Sequence, residues 1–282
     1  MTGFIYVFFM ATAPLLIDRS TLSKRRARTK ADRGYFLHQE AIADLQDRLE
    51  MITKPLPDIT IVTGHPAPWA EAFPTAQVVP DDEVLNLPPN SKDLVIHAMS
   101  LHWANDPLGQ MIQCHRALRP DGLFLASLLG GKTLHELRTA LAEAETIVRG
   151  GVSPRVLPMA DIRDLGALLS RAGFNLPVAD SHSVHATYPS LNDLMHDLRS
   201  MGETNAQSAR SRQFTPRHML QKAEEIYRTR FGLPDGRLPA TYEQICVTGW
   251  APDDSHPKPL RPGSAKMRLA EALNVPEVPL KD

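Results

Sequence analysis

The chain has 282 residues, 43% of them hydrophobic and 22% charged, with 31 basic against 32 acidic side chains. That size and composition suit one large α/β domain, or one domain with a substantial insertion, whose core needs no staples. The balanced charge excludes an overall drive toward nucleic acid or anionic membrane, and two cysteines, Cys114 and Cys246, exclude a disulfide framework or a cysteine metal set.

Residues 4–10 form an apolar run, followed by Ala11-Thr12-Ala13, which faintly resembles a signal cleavage site. No Lys or Arg precedes Arg19 and the run is too short to span a bilayer, so no targeting role is expected. Met10 serves equally well as a start. The basic run Lys24-Arg25-Arg26-Ala27-Arg28-Thr29-Lys30 reads first as a solvated arm or helix face, and second as a docking surface for an acidic partner or an RNA backbone. No aromatic residue interleaves it for base stacking, so no nucleic-acid partner is expected.

Apolar residues at helical spacing (Phe36, Leu37, Ile42, Leu45, Leu49) predict a helix over 35–51, ended by Pro55 and Pro57. Short strands are expected at 58–62 and 76–79, with a Thr63-Gly64-His65-Pro66 turn after the first. The run 93–99 is apolar enough to be a strand buried on both faces. A helix over 108–118, a turn at Arg119-Pro120-Asp121-Gly122 and a buried strand over 123–129 come next, then a break at Gly130-Gly131. A helix over 133–149 carries Glu136, Glu143 and Glu145, read as a solvated face. Another spans 161–172 and is closed by Gly173. An extended stretch over 178–187, helices over 191–201 and 215–231, and a last strand over 242–249 complete the series. Strands alternating with helices imply a parallel sheet with right-handed crossovers.

The segments "DLVIHAMSLHW", "ALRPDG" and "LFLASLLGG" resemble the fourth and fifth strands of class I S-adenosylmethionine-dependent methyltransferases and the turn between them. The segments "SLHWANDPL", "LLGGKTLHELRTALAEAE", "GGVSPRVLPMADIRDLGALLSRAGF", "DLRSMGETNA" and "ATYEQICVTGWAP" are similar to the methyltransferase-like assembly factors of respiratory complex I, of arginine-hydroxylase type, and their alphaproteobacterial relatives. "DRSTLSKRRARTK" is similar to that family's amino-terminal basic signature. The resemblance covers roughly 18–272 with one gap. It implies a Rossmann-like class I methyltransferase sheet, truncated near its first strands, with a helical lid insertion before the last strand. The expected organisation is a leader and basic arm over 1–33, a core over 34–187, a lid over 188–240, and a last strand with a Pro-rich tail over 241–282.

The gap falls on the cofactor loop. The family pattern there is Asp/Glu-x-Gly-x-Gly-x-Gly, because the backbone must approach the cofactor where a Cβ would clash. This chain offers "ITIVTGHPAPWAEAFPTAQVV", whose one glycine, Gly64, is followed by His65-Pro66. Only 63–75 separates the two short strands, room for one short connection and none for a missing helix, strand and second helix. The ribose carboxylate then has no counterpart. Asp81-Asp82 aligns with the family's acidic position after its third strand, near the adenine, so that 77–79 is the third strand and the second is absent.

The candidate residues carry two readings each. Gly64 is a remnant of the cofactor loop or the glycine of a tight turn. Asp82, beside Asp81, accepts the adenine amino group or belongs to a solvated acidic loop. Ser100, His102 and Trp103 follow the fourth strand at the sheet's carboxyl edge, with His102 a general base or a satisfied histidine and Trp103 a stacking surface or a packing anchor. Gly130 and Gly131 allow a tight turn beside the substrate site. Glu203, in the lid segment Met201-Gly202-Glu203-Thr204-Asn205, binds a guanidinium or is a surface acid, and Asn205 stands with it. His182 and His185 alternate along a strand and make no metal site. The resemblance implies S-adenosylmethionine as cofactor and an arginine on a complex I subunit as target, methylated by in-line displacement or hydroxylated. The alternative is a non-catalytic assembly factor that has lost cofactor binding. A cytoplasmic protein is expected, with at most peripheral membrane association. The residues set no oligomeric state.

Overall fold

The protein, seen as a computed structural model, is described over residues 15–29, 34–256, 267, 271, 273 and 274. The apolar leader, Lys30 of the basic run and most of the Pro-rich tail lie outside the described residues. The chain divides after Pro252, and residues 253–282 make a separate unit. The sheet, its helices and the site all belong to the first unit.

Asp18 opens helix α1 (Arg19–Arg26) by accepting from the Thr21 amide at 2.9 Å, an N-cap for one otherwise orphaned donor. Helix α2 (Phe36–Glu50) buries Leu37, Ala41, Ile42 and Leu45 along one stripe. Strand β1 (Ile59–Thr63) leads into helix α3 (Pro66–Ala72), whose first turn accepts Pro66 without losing a bond. The sequence pattern predicts only a turn and a short connection here. Trp69 makes the stretch a helix, because its fully buried indole donates from Nε1 to His38 Nδ1 at 3.0 Å and pins α3 to α2. Strand β2 (Gln77–Val79) then pairs parallel with β1, Gln77 opposite Thr60. The two are hydrogen-bonded neighbours, so no strand stands between them.

Strand β3 (Lys92–Ala98) pairs parallel with β1 on its other side, from Ile59 opposite Leu94 to Thr63 opposite Ala98. Helix α4 (Pro107–Ala117), capped by Asp106, crosses to strand β4 (Leu118–Leu129), parallel to β3. Here the expected turn at 119–122 is corrected. Lys92 pairs with Leu118 and Leu94 with Leu123, so these residues bulge within a continuing strand, with Asp121 at φ 59°.

Helix α5 (His135–Arg149) ends on Gly150 at φ 73°. Its glutamates are not a solvated face. Glu136 is buried and accepts from Thr241 Oγ1. Glu145 is buried under Ser153 and Arg155, whose Nη2 lies 2.8 Å away, and Glu143 pairs with Arg230 at 2.7 Å. Each has a partner more than six residues away in sequence, which periodicity does not register. Helix α6 (Ile162–Arg171), strand β5 (Asn175–Tyr188), helices α7 (Leu191–Ser200) and α8 (Arg217–Phe231) and strand β6 (Leu238–Trp250) complete the unit.

The six strands lie in the order β2-β1-β3-β4-β6-β5, the first four parallel and β6 antiparallel to both its neighbours. One apolar cluster joins α2, α5, α7 and α8 to one face of the sheet, and a second joins α4 and α6 to the other. This is a doubly wound, Rossmann-like α/β fold. The carboxyl ends of the parallel strands deliver 64–66, 80–82, 99–103 and 130–133 to one edge, where such sheets place their ligands. His182 and His185 on β5 pair with different partners of β6, Gln244 and Thr241, and their odd separation puts them on opposite faces.

Candidate functional site

The edge is covered from the amino-terminal side. The residues flanking α1 are tied to the segment after α7: Asp18 N donates to Ala206 O at 2.9 Å, Ser208 N to Leu16 O at 2.9 Å, and Arg210 pairs with Asp18 at 2.9 Å. So held, α1 lies across the turn at the end of β1. A Cβ on Gly64 would overlap the guanidinium of Arg26. Arg26 Nη1 donates to both oxygens of Asp81, at 2.8 and 2.9 Å, and Arg19 Nη1 reaches Asp81 Oδ2 at 3.2 Å. The Arg26 and Asp81 side chains are 8% and 6% exposed, so this pair is out of water. Burial opposes ionisation of Asp81, yet the two guanidinium charges outweigh it and hold its carboxyl below the usual range. Among the described residues Arg26 Nε and Nη2 are buried without an acceptor, a cost that the bond to Asp81 must offset.

A second carboxylate sits farther along the same edge. Helix α7 ends in a Schellman turn: Glu203 N donates to Leu198 O at 3.0 Å and Gly202 N to Arg199 O at 3.2 Å. Gly202 adopts φ 77°, and a Cβ there would also meet Thr29. That turn aims Glu203 inward. From β3, Met99 at φ 50° bends the chain into a short 3₁₀ turn (Leu101–Trp103) that presents His102 and Trp103 to it. Trp103 Nε1 donates to Glu203 Oε2 at 2.8 Å, while His102 Nε2 and His65 Nε2 lie 3.7 and 3.8 Å from its oxygens, too far for hydrogen bonds. Both imidazole nitrogens are buried without a hydrogen-bond partner. Glu203 is held down to about 2: burial opposes its charge, and His102, His65 and Arg26 around it prevail. His65, by contrast, is pushed below the usual imidazole value by burial. An ionised, nearly buried carboxylate with one close donor is the chief electrostatic feature here.

Two cavities open at this edge. One, of about 670 Å³, is the crevice walled by Gly64, His65, Val79, Asp81, Asp82 and α1. The other, of about 690 Å³, lies beside Glu203, Trp103 and Asn205, with apolar walls from α5 and α7 and arginines at its margin. Asn205 Nδ2 donates to Pro154 O at 2.7 Å, which fixes the wall formed by its loop. Asp82 keeps an exposed side chain on the crevice, and its carbonyl accepts from Gln110 Nε2 at 3.1 Å. Ser100 is buried and lines neither cavity; its Oγ is 3.4 Å from Nδ1 of His97, which meets Gln110 at 2.6 Å. Burial pushes His97 down to about 4. Gly130 and Gly131 line neither cavity. A Cβ on Gly130 would stand 2.6 Å from Glu243 Oε2 and Ile245 Cδ1, so it serves the close approach of β6.

The structure thus gathers Trp103, His102 and Glu203 from distant segments, and Gly64 with Asp81 and Asp82, while Ser100, Gly130 and Gly131 lie elsewhere. Sequence reasoning missed Arg19, Arg26 and His65. The signal available for the first two was an amphipathic α1 with buried Leu22, which puts Arg19 and Arg26, two turns apart, on the same side of the helix as Leu22.

S-adenosylmethionine needs bare backbone at the end of β1. Here Arg26 covers Gly64 and two guanidinium groups engage the buried Asp81. With Arg26 so placed, the turn at Gly64 does not fit the cofactor, while Asp82 stays exposed on the crevice.

The sheet order and the crevice at its carboxyl edge define a Rossmann-like protein of methyltransferase type. Comparison with known proteins agrees: a family profile described as a methyltransferase domain matches residues 65–126. The chain is 40% identical over 199 residues to the Rattus norvegicus protein named Arginine-hydroxylase NDUFAF5, mitochondrial, covering 71% of this chain and 58% of that one. It is 36% identical over 184 residues to the malonyl-[acyl-carrier protein] O-methyltransferase of Halorhodospira halophila, covering 65% and 60%. Among solved structures, the YcgJ protein of Bacillus subtilis aligns with a TM-score of 0.47 and 11% identity over 74% of this chain and 98% of that one. The chain spans less than two thirds of the length of these curated relatives.

Proposed function

We propose that this protein is a methyltransferase-like factor that engages an arginine-bearing subunit of respiratory complex I during assembly. The arginine enters the cavity beside α5 and α7, its guanidinium meeting Glu203 with Trp103, His102 and His65 around it. The observation that carries this reading is Glu203 itself. It is a carboxylate 12% exposed, ionised at neutral pH, and satisfied by a single close donor. Such a group gains from a cationic, multiply donating partner, and guanidinium is the fitting one. The arginine-hydroxylase relatives support the same target.

Whether chemistry follows engagement divides two readings. Modification of the arginine with S-adenosylmethionine requires Arg26 to leave Gly64. Assembly by binding alone leaves Arg26 where it is, against Asp81. Among the described residues no helix is long and apolar enough to cross a membrane. The buried free thiols of Cys114 and Cys246 support a reducing compartment, and on this reading the protein works in the cytoplasm. Calorimetric titration with an arginine peptide and its citrulline counterpart tests the proposal. The arginine peptide should bind at least about tenfold tighter, an advantage lost in Glu203→Gln. Equal affinity for both peptides contradicts it.

A further inference from the structure

The cavity beside Glu203 joins two chemistries. Its walls are apolar faces of α5 and α7, including Leu137, Leu141 and Leu198. Its margin carries Arg25, Arg28 and Arg199. Arg28 and Arg199 are exposed and, among the described residues, have no ion-pair partner. Arg25 gives one bond to the Thr204 hydroxyl, and its ionisation is weakened by burial and by the like charges of Arg210 and Arg28. Arg155, also on the cavity, is already matched by Glu145. Among the described residues the remaining margin therefore carries two exposed arginines without an ion pair, Arg28 and Arg199, beside Arg25, around a cavity whose acid, Glu203, faces inward.

An isolated arginine side chain approaching Glu203 would pass like charges, which disfavours encounter and raises the cost of closing the cavity. A peptide that brings carboxylates alongside its arginine cancels that repulsion. We infer that the arginine engaged here lies in an acidic stretch of its protein, with Asp or Glu close on either side. A cavity of 690 Å³ is roughly 9 Å across, which an extended chain covers in about two or three residues, so carboxylates at that separation reach the margin. Arg28 and Arg199 act as flank-reading residues, and Glu203 reads the guanidinium. This inference rests on the proposed engagement of arginine and adds to it the charge of the surrounding segment.

Fluorescence anisotropy of the full chain with dye-labelled peptides tests it. The peptides share one central arginine and carry Glu, Ser or Lys on both flanks, and a fourth has Glu flanks around a central Gln. The Glu-flanked arginine peptide should bind about tenfold tighter than the Ser-flanked one, as two or three solvent-touching ion pairs allow. That margin should shrink from about 50 mM to about 500 mM salt. The double variant Arg28→Glu with Arg199→Glu, two exposed positions, should reverse the preference toward Lys flanks. Equal binding of Glu- and Ser-flanked arginine peptides overturns the inference while leaving arginine engagement standing. Equal binding of the Glu-flanked Arg and Gln peptides overturns the arginine reading, showing a site for acidic chains alone. A competing long-chain fatty acid that displaces the peptide while the double variant binds both unchanged overturns the role of the margin. Absence of binding by every peptide at about millimolar concentration overturns both.

Discussion

Replacing Asp81 with Asn probes the contact on which the covered crevice depends. The substitution keeps the shape of the side chain and removes its charge, leaving Arg26 and Arg19 facing a neutral amide. Arg26 is 8% exposed, with two donors already lacking acceptors, so it becomes a buried charge without a partner. Breaking such a pair costs about 3–5 kcal/mol, and the partly exposed Arg19 puts this case near about 3 kcal/mol. For a domain of this size that lowers Tm by roughly 6–12 °C. Thermal unfolding followed by circular dichroism, with urea unfolding as a check, reads the loss. Its pH dependence is specific. The folded-state carboxyl of Asp81 lies below its ordinary value, so its contribution is complete above about pH 4 and disappears as pH falls through the depressed folded value. The gap between wild type and Asp81→Asn should therefore narrow under acid. A variant whose Tm falls by less than about 2 °C at neutral pH would show that α1 does not hold Arg26 against Asp81.

The same contacts set three further outcomes. Gly64→Ala puts a methyl group into the Arg26 guanidinium and should destabilise by about 1–3 kcal/mol, read by urea unfolding, and this loss should fall when Arg26 is also Ala. Trp103→Phe keeps the packing and removes the close donor to Glu203. It should cost about 1–3 kcal/mol at neutral pH and raise the Glu203 pKa toward its ordinary value, so that the variant loses less stability than wild type as acid is added and the gap between them narrows. Gly130→Ala should lower Tm through its clash with Glu243 and Ile245, while leaving arginine-peptide affinity within about twofold, because the position lines neither cavity.

The parts of the fold legible in the sequence are those where one local pattern decides the outcome. The runs that became β3 and β4 are apolar on both faces, which suits strands covered by helices on each side, and α6 shows its cap, stripe and closing Gly173 in plain order. The errors fall where distant residues decide. Glu145 looks like a surface acid in α5 until the chain returns and sets Ser153 and Arg155 over it. The stretch around Trp69 has no periodicity long enough to announce a helix, and His38 on α2 supplies the missing reason. For the candidate site, position in the sheet places His102 and Trp103 at the carboxyl edge, but that Glu203 meets them there follows only from the turn that ends α7. Apart from its spacing from Leu22, nothing in the basic run distinguishes Arg26, which is buried against Asp81, from Arg28, which stays in water. That difference arises only when the bonds of Asp18, Ala206 and Ser208 fix how α1 lies.

Arg26, held by Asp81, lies over Gly64, where S-adenosylmethionine would need bare backbone. Calorimetric titration of the wild-type chain and of Arg26→Ala with S-adenosylmethionine and S-adenosylhomocysteine tests it most directly. Wild-type binding should be weaker than about 1 mM, and binding should become at least about tenfold tighter once the guanidinium is gone. Micromolar binding by the wild-type chain, unchanged in Arg26→Ala, would contradict it.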